Sequence, residues 1–339
     1  MKILVTGSEG YIGLPLTHAL RKAGHVVVGL DTCFYQNGWL YDGIKPLAHI
    51  VKKDIRHVLE KDLEGFDAIC HLAELSNDPL GESNTDITYE INHLATVELA
   101  KKAKKVGVKR FIYMSSCSVY GASDEIRDEE SSVNPLTAYA KCKVLNEKAL
   151  LDLGDSNFSP VILRNATVFG PSPRMRFDLV VNNLSGLAYT QRQIKMDSDG
   201  TPWRPLIHVD DLSRLILYIL ESDRKITHGQ ILNVGDNSSN YQIKDIATII
   251  SSIFVGCEIS LNKDGGDKRN YRVNFDKLKR ILPNFSCQKD VKKGVKELFD
   301  IFTRVHLTKK DFESAKYTRL KQIKHLRDTK QIDEKFFWI

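Results

Sequence analysis

Tyr139 and Lys143, in Tyr139-Ala140-Lys141-Cys142-Lys143, stand four residues apart and so share one face of any helix they lie on. A phenol titrates near ~10 and is a poor base at neutral pH. Bringing it near neutrality takes a shift of about 3 units, or roughly 4 kcal/mol of differential stabilisation. An ammonium one helical turn away supplies part of that. Upstream, Ser115-Ser116-Cys117-Ser118-Val119-Tyr120-Gly121 follows a short apolar run, and the Ser116 hydroxyl can bond a reacting alcohol and relay its proton. The three side chains suit removal of a proton from an alcohol while its hydride leaves for an acceptor.

The acceptor is suggested at the other end of the chain. Gly7-Ser8-Glu9-Gly10-Tyr11-Ile12-Gly13 separates a short apolar run from a helical pattern. Glycines allow positive φ and close approach of a ligand to the backbone, and the helix start presents unpaired N–H groups to an anion. The spacing is G-x-x-G-x-x-G, not G-x-G-x-x-G. The next strand ends at Asp31, 18 residues after Gly13. A carboxylate there accepts hydrogen bonds from ribose hydroxyls and repels a 2′-phosphate, so NAD is expected over NADP.

These residues need a scaffold, and the hydrophobic pattern outlines one. Lys2–Val5, Val26–Leu30, Ala68–Leu72, Phe111–Met114, Val161–Leu163, Leu206–His208 and Ile231–Val234 read as short buried strands. Helical patterns lie between several of them, as at Tyr11–Ala23, Asn92–Lys105 and Ala138–Leu151. Strands alternating with helices predict an α/β fold, a parallel sheet covered on both faces. The Arg-, Asn- and Lys-rich second half predicts a smaller substrate domain interleaved with the last strands. Near the end, Tyr317, Leu320, Ile323 and Leu326 recur every three residues, which predicts an amphipathic helix over Ala315–Arg327 that packs on its own domain.

Taken together, the Gly7–Gly13 loop, Asp31, the Ser116 motif ending in Val119-Tyr120-Gly121, and Tyr139 with Lys143 resemble the extended short-chain dehydrogenase/reductases. These are the NAD-dependent nucleotide-sugar epimerases, dehydratases and reductases. Leu163–Pro171 and Trp203–Asp211 also resemble family motifs, so the likeness runs through essentially the whole chain. It implies a doubly wound Rossmann sheet over 1–168, completed by about 203–234, with a nucleotide-sugar-binding domain over 169–202 and 235–339. It implies that Ser116, Tyr139 and Lys143 are catalytic, and that Gly7, Gly10, Tyr11, Ile12, Gly13 and Asp31 bind NAD. Asp54 and Ile55 resemble the pair beside the adenine, and Leu72 and Ala73 the segment along the cofactor. Asn92 resembles a helix residue near the sheet. The substrate's diphosphate is expected at Arg204, since Arg binds phosphate bidentately. Asn165, Asn182, Asn183 and Arg269 are further substrate candidates, with Arg272, Arg174 and Arg176 behind them. A homodimer through the Asn92–Lys105 and Ala138–Leu151 helices is expected from the resemblance.

The reaction is narrowed by one comparison of motifs. The family's 4,6-dehydratases carry Thr-Asp-Glu where this chain has Ser116-Cys117-Ser118, and those acids eliminate water. What remains is hydride chemistry at one sugar carbon, usually C4. An epimerase returns the hydride to the other face; a dehydrogenase or ketoreductase turns over NAD(H) on balance. All use the same residues, and epimerisation is the leading expectation. Glu74, in His71-Leu72-Ala73-Glu74-Leu75-Ser76-Asn77-Asp78-Pro79, departs from the epimerase pattern and invites contact with a sugar hydroxyl.

Composition excludes other classes. The 339 residues are 42% hydrophobic and 27% charged, which rules out disordered, collagen-like and disulfide-rich chains. No apolar run approaches the ~18–20 residues of a membrane span, and a cytoplasmic protein with no membrane partner is expected. The six cysteines, Cys33, Cys70, Cys117, Cys142, Cys257 and Cys287, show no metal-ligand spacing, so no metal is expected. The net charge is +6, but Ile301–Ile339 alone holds ten Lys/Arg against five Asp/Glu. That local excess reads as a solvated helix face, not a nucleic-acid surface. A cofactor-sensing or RNA-binding relative without catalysis would often lack Tyr139 or Lys143, and both are present.

Overall fold

The computed structural model describes residues 1–76, 78–262 and 270–339. Seven parallel strands form the main sheet: β1 (Lys2–Thr6), β2 (Val26–Asp31), β3 (Ile50–Lys52), β4 (Ala68–His71), β5 (Arg110–Ser116), β7 (Ser159–Asn165) and β11 (Ile231–Val234). Their order is β11-β7-β5-β4-β1-β2-β3. Ile3 pairs with Val27 on one side and Ala68 on the other. Strand order therefore reverses at β1, and the loops leaving β1 and β4 diverge there to open a crevice at the carboxyl ends.

Alternation along each strand splits the core. Ile3, Val5, Cys70, Ile112 and Met114 face one hydrophobic layer, while Leu4, Ile69, Phe111 and Tyr113 face the other. Helices α1 (Gly13–Lys22) and α5 (Val209–Glu221) cover the first face. Helices α2 (Thr96–Lys105) and α3 (Ala138–Leu153) cover the second. The sheet is thus doubly wound, as the alternation of strands and helices predicts. The helix expected from Asn92 starts differently: Glu90–Ala95 is a π-helical turn, with α2 following.

In the second half, β8 (Thr167–Phe169), β10 (Trp203–His208) and β12 (Asn240–Gln242) make a separate three-stranded sheet. Residues 203–208 therefore do not join the main sheet, which is finished by β11 alone. A short buried run shows its depth in the sequence but not its neighbour. Two further pairs, β9 (Gln193–Met196) with β13 (Glu258–Leu261) and β6 (Ala122–Arg127) with β14 (Asn270–Val273), complete the strands. Helices α4 (Val180–Gln191), α6 (Ile243–Ile253) and α7 (Val291–Arg304) extend the first core through Leu184, Ile250 and Phe302. The last helix, α8 (Arg319–Asp328), is preceded by a 3-10 turn, Ala315–Tyr317, and buries Ile323 and Leu326 in the second core. Among the described residues no helix is long and apolar enough to cross a membrane.

Candidate active site

A cavity of about 550 Å³ occupies the crevice at the strand ends, a size typical of cofactor and ligand sites. Gly7, Gly10, Tyr11, Ile12 and Gly13 line it, together with Asp31, Asp54, Ile55, Leu72 and Ala73. Ser116, Tyr139, Lys143, Asn165, Asn183 and Arg204 line it as well. Residues far apart in sequence thus meet because their strands end on one edge.

The glycine loop has steric reasons for its composition. Gly7 has φ 72°, and a Cβ there would stand 2.9 Å from the backbone N of Ala73. A Cβ on Gly13 would stand 2.2 Å from the Gly7 carbonyl oxygen. The first glycine lets the loop after β4 approach; the last lets α1 fold back on the loop. No acidic residue or side-chain cap occupies the start of α1, which suits an anion beside its N-terminus. At the end of β2 the Asp31 carboxylate accepts from the N–H of Glu9 at 2.9 Å and of Cys33 at 2.7 Å. Burial pushes this carboxyl above its usual range, against the pull of those two N–H groups. Asp54 caps the following turn through Arg56 N at 2.8 Å and pairs with the Arg56 guanidinium.

The reacting end is built on α3. Thr137 caps this helix through the N–H of Ala140. The segment after β4 pins the same turn, with Asp78 accepting from the Thr137 hydroxyl and Glu82 from the N–H of Ala138. Asn92 holds that segment from the other side, bonding both the N–H and the carbonyl of Leu75. Its role is to position the segment. Lys143 Nζ lies 5.2 Å from the Tyr139 ring centre and donates to the Met114 carbonyl and to Glu74. The Tyr113 hydroxyl donates to the other Glu74 oxygen at 2.8 Å. Each Glu74 oxygen thus accepts one hydrogen bond, from Lys143 or from Tyr113, and Glu74 itself lines the cavity. Burial raises the Tyr139 phenol; Lys143 lowers it and Glu74 raises it. Burial likewise holds the Glu74 carboxyl up, with Lys143 opposing. Ser116 ends β5, its hydroxyl accepting from the N–H of Ser118 at 3.1 Å.

Asn182 and Arg174 stand off the cavity lining. Asn182 does not reach the cavity: its side chain is buried, accepts from the N–H of Gly170 and donates to the Tyr11 hydroxyl and the Arg176 carbonyl. Both its donors and its oxygen go to fixing the turn after β8 and the ring of Tyr11. Arg269 lies outside the described residues, as does Asn77. Arg174 is bound to Glu9 at 2.7 Å, away from the cavity lining. Arg176 lines the cavity, paired with Asp178 at 2.9 Å. The sequence pattern missed Tyr35 and Arg319, which also line it. Neither sits in a recognisable motif.

A cluster of His208, Asp210 and Glu297 could suggest a cation. The Lys289 ammonium already bridges Asp210 at 2.6 Å and Glu297 at 2.7 Å, so the cluster is a salt-bridge network.

The wall fits a dinucleotide. The glycine cradle leaves no room for Cβ atoms, Asp31 ends β2 against the glycine loop, and the buried Asn165 Oδ1 and Ser118 Oγ have no partner among the described residues.

Comparison with known proteins agrees. Residues 3–235 match the profile of the NAD dependent epimerase/dehydratase family. A UDP-glucose 4-epimerase of Mycolicibacterium smegmatis is 31% identical over 321 residues, covering 89% of this chain and 98% of the relative. Among solved structures, a UDP-glucuronic acid 4-epimerase from Bacillus cereus, in complex with UDP-glucuronic acid and NAD, superposes with a TM-score of 0.76. It is 25% identical, and the match covers 90% of this chain and 100% of that one. MoeE5, in complex with UDP-glucuronic acid and NAD, matches at 25% identity and a TM-score of 0.77 over 91% of this chain and 100% of that one.

Proposed function

The chain belongs to the NAD-dependent epimerase/dehydratase family, and on that premise we propose that it epimerises a nucleotide-diphosphate sugar by transient oxidation of a sugar hydroxyl at C4. The observation that carries the reading is the single cavity that joins Ser116, Tyr139 and Lys143 to the glycine loop and Asp31. NAD, when bound, supplies the hydride acceptor of the first half-reaction and the donor of the second.

The chain's own residues handle the proton and the orientation. Tyr139 takes the proton of the hydroxyl as its C–H electrons leave, and returns it when the ketone is reduced. Ser116 bonds the same oxygen and steadies it in both half-reactions. Lys143 holds its charge close to the phenol and stabilises the phenolate. Net proton change over the cycle is zero, so one residue serves as base and then as acid. Cys117 and Ser118 offer no carboxyl group for eliminating water, which disfavours dehydration.

The substrate half is read as 169–202 with 235–339. Arg204 and Asn183 on the cavity wall suit the diphosphate and its ribose. The relatives favour a uridine nucleotide. We read the protein as a homodimer through the helices that carry Leu94 and Leu145, which are 56% and 42% exposed. The experiment is incubation with NAD and a panel of UDP-sugars, with NADH absorbance and sugar composition followed in the same tubes. Conversion to the C4 epimer without accumulating NADH is expected. A ketone with matching NADH would establish a dehydrogenase instead.

A further inference from the structure

The C-terminal segment lies beyond the residues that match the family profile, yet it is tied to the cofactor end of the cavity. Gln322 donates to the Phe34 carbonyl at 3.1 Å, and the Trp338 indole N–H to the Thr32 carbonyl at 2.6 Å. The Phe337 ring stacks on His57 with centres 4.7 Å apart, under the Arg56 guanidinium. These anchors flank Asp31 and Asp54, so the tail straps the two segments expected to hold the adenosine half.

Arg319 is the first residue of α8. It is 3% exposed, yet it lines the cavity. Its guanidinium lies 3.9 Å from the centre of the Tyr35 ring. It makes no hydrogen bond or ion pair with any described residue. The neighbouring carboxylates are taken. Arg176 holds Asp178 through bonds of 3.0 and 2.9 Å, and Asp31 accepts from two backbone N–H groups. A buried cation whose five donors bond no described residue is costly unless something anionic joins it. Burial, aided by the like charge of Arg176, pushes the Arg319 guanidinium down to about 10.

Position says which anion. Arg319 stacks on Tyr35, four residues beyond Asp31, while Arg176 reaches Ser76, two residues beyond Glu74. Arg319, Arg176, Asp31 and Tyr139 all line the one cavity, so the two arginines lie on the wall between the Asp31 end and the reacting end. In NAD, the group between the adenine ribose and the nicotinamide half is the diphosphate.

We propose that Arg319 binds the diphosphate of NAD, so that the C-terminal segment supplies a charged wall of the cofactor site. The proposal rests on the NAD reading above. A nucleotide sugar carries a diphosphate too, and the test separates the two sources. Calorimetric titrations of the full chain would use ADP-ribose, adenosine and UDP, against wild type, Arg319→Gln and Arg319→Lys. The Gln variant is expected to bind ADP-ribose about 10- to 100-fold more weakly, the scale of a lost charge-assisted hydrogen bond, with adenosine unchanged and Lys intermediate. In the wild type, amide hydrogen exchange across Arg319–Asp328 is expected to slow with ADP-ribose and not with UDP. That measurement holds even if the Gln variant misfolds. An unchanged ADP-ribose affinity in a folded Gln variant would overturn the proposal. Equal loss with adenosine would make Arg319 a packing residue, and selective loss of UDP binding would move it to the substrate; either overturns the assignment. A wild-type protein that binds UDP but not ADP-ribose would overturn the NAD reading itself.

Discussion

Replacing Glu74 by Gln should lower the pKa of Tyr139. The Lys143 ammonium lies 5.2 Å from the Tyr139 ring centre. At an effective dielectric of about 20, one charge at that distance is worth about 3 kcal/mol, or roughly 2 pKa units in favour of the phenolate. Glu74 binds the same ammonium and raises the phenol in turn, so much of that stabilisation is cancelled. Glutamine keeps the shape and removes the charge: its oxygen can accept from Lys143 while its NH2 donates to the Tyr113 hydroxyl. Lys143 keeps the Met114 carbonyl; it loses the Glu74 charge that holds its pKa above the ordinary lysine range, and the Tyr139 phenolate becomes its main ionic partner. The phenolate then costs less, and Tyr139 should titrate about 1–2 units lower. The sign follows directly: a base that ionises at lower pH moves the acidic limb of kcat/KM to lower pH. Tyrosinate difference absorbance, with Tyr139→Phe in the same background as the blank, reads the shift without any substrate. An unmoved or rising tyrosinate titration in a folded Glu74→Gln protein would refute the reasoning.

Other consequences are local. Asn182→Ala strands the N–H of Gly170 and removes the donor to the Tyr11 hydroxyl, which keeps its own bond to the Gly170 carbonyl. It should cost about 2–3 kcal/mol in denaturant unfolding, with loss of activity following loss of fold. Asp31→Ser removes the carboxylate that would repel a 2′-phosphate; NADP binding, read by calorimetry, should gain relative to NAD by about 10-fold or more. Leu94→Arg places a charge on the exposed helix face and should give a monomer by light scattering if that face joins two copies.

The sequence made some of this visible and hid the rest for definable reasons. Local spacing carried the glycine loop, Asp31 and the Tyr139–Lys143 pair, because each depends on one turn or one helix face. Buried runs marked β1, β2, β4, β5 and β7, since a doubly covered parallel strand is apolar throughout. The same property concealed that 203–208 belongs to a second sheet. The Glu74–Lys143 pair spans 69 positions, and nothing local foretells it. Asn182 carried the residue type of a ligand but was consumed by the turn at Gly170. The basic C-terminus read as a solvated face, and for most of α8 that face is exposed. Arg319 is the exception, because only the anchors at Phe34 and Thr32 turn its helix start toward the cavity.

The central claim is that the hydride leaves C4 and comes back to the same carbon within one turnover. The most direct measurement follows deuterium at C4 of UDP-glucose in the presence of excess unlabelled NAD and NADH. The account predicts that the label is retained at C4 of both sugar epimers, with none in the free NADH. Deuterium in free NADH, or a ketone accumulating at the expense of the label, would contradict it.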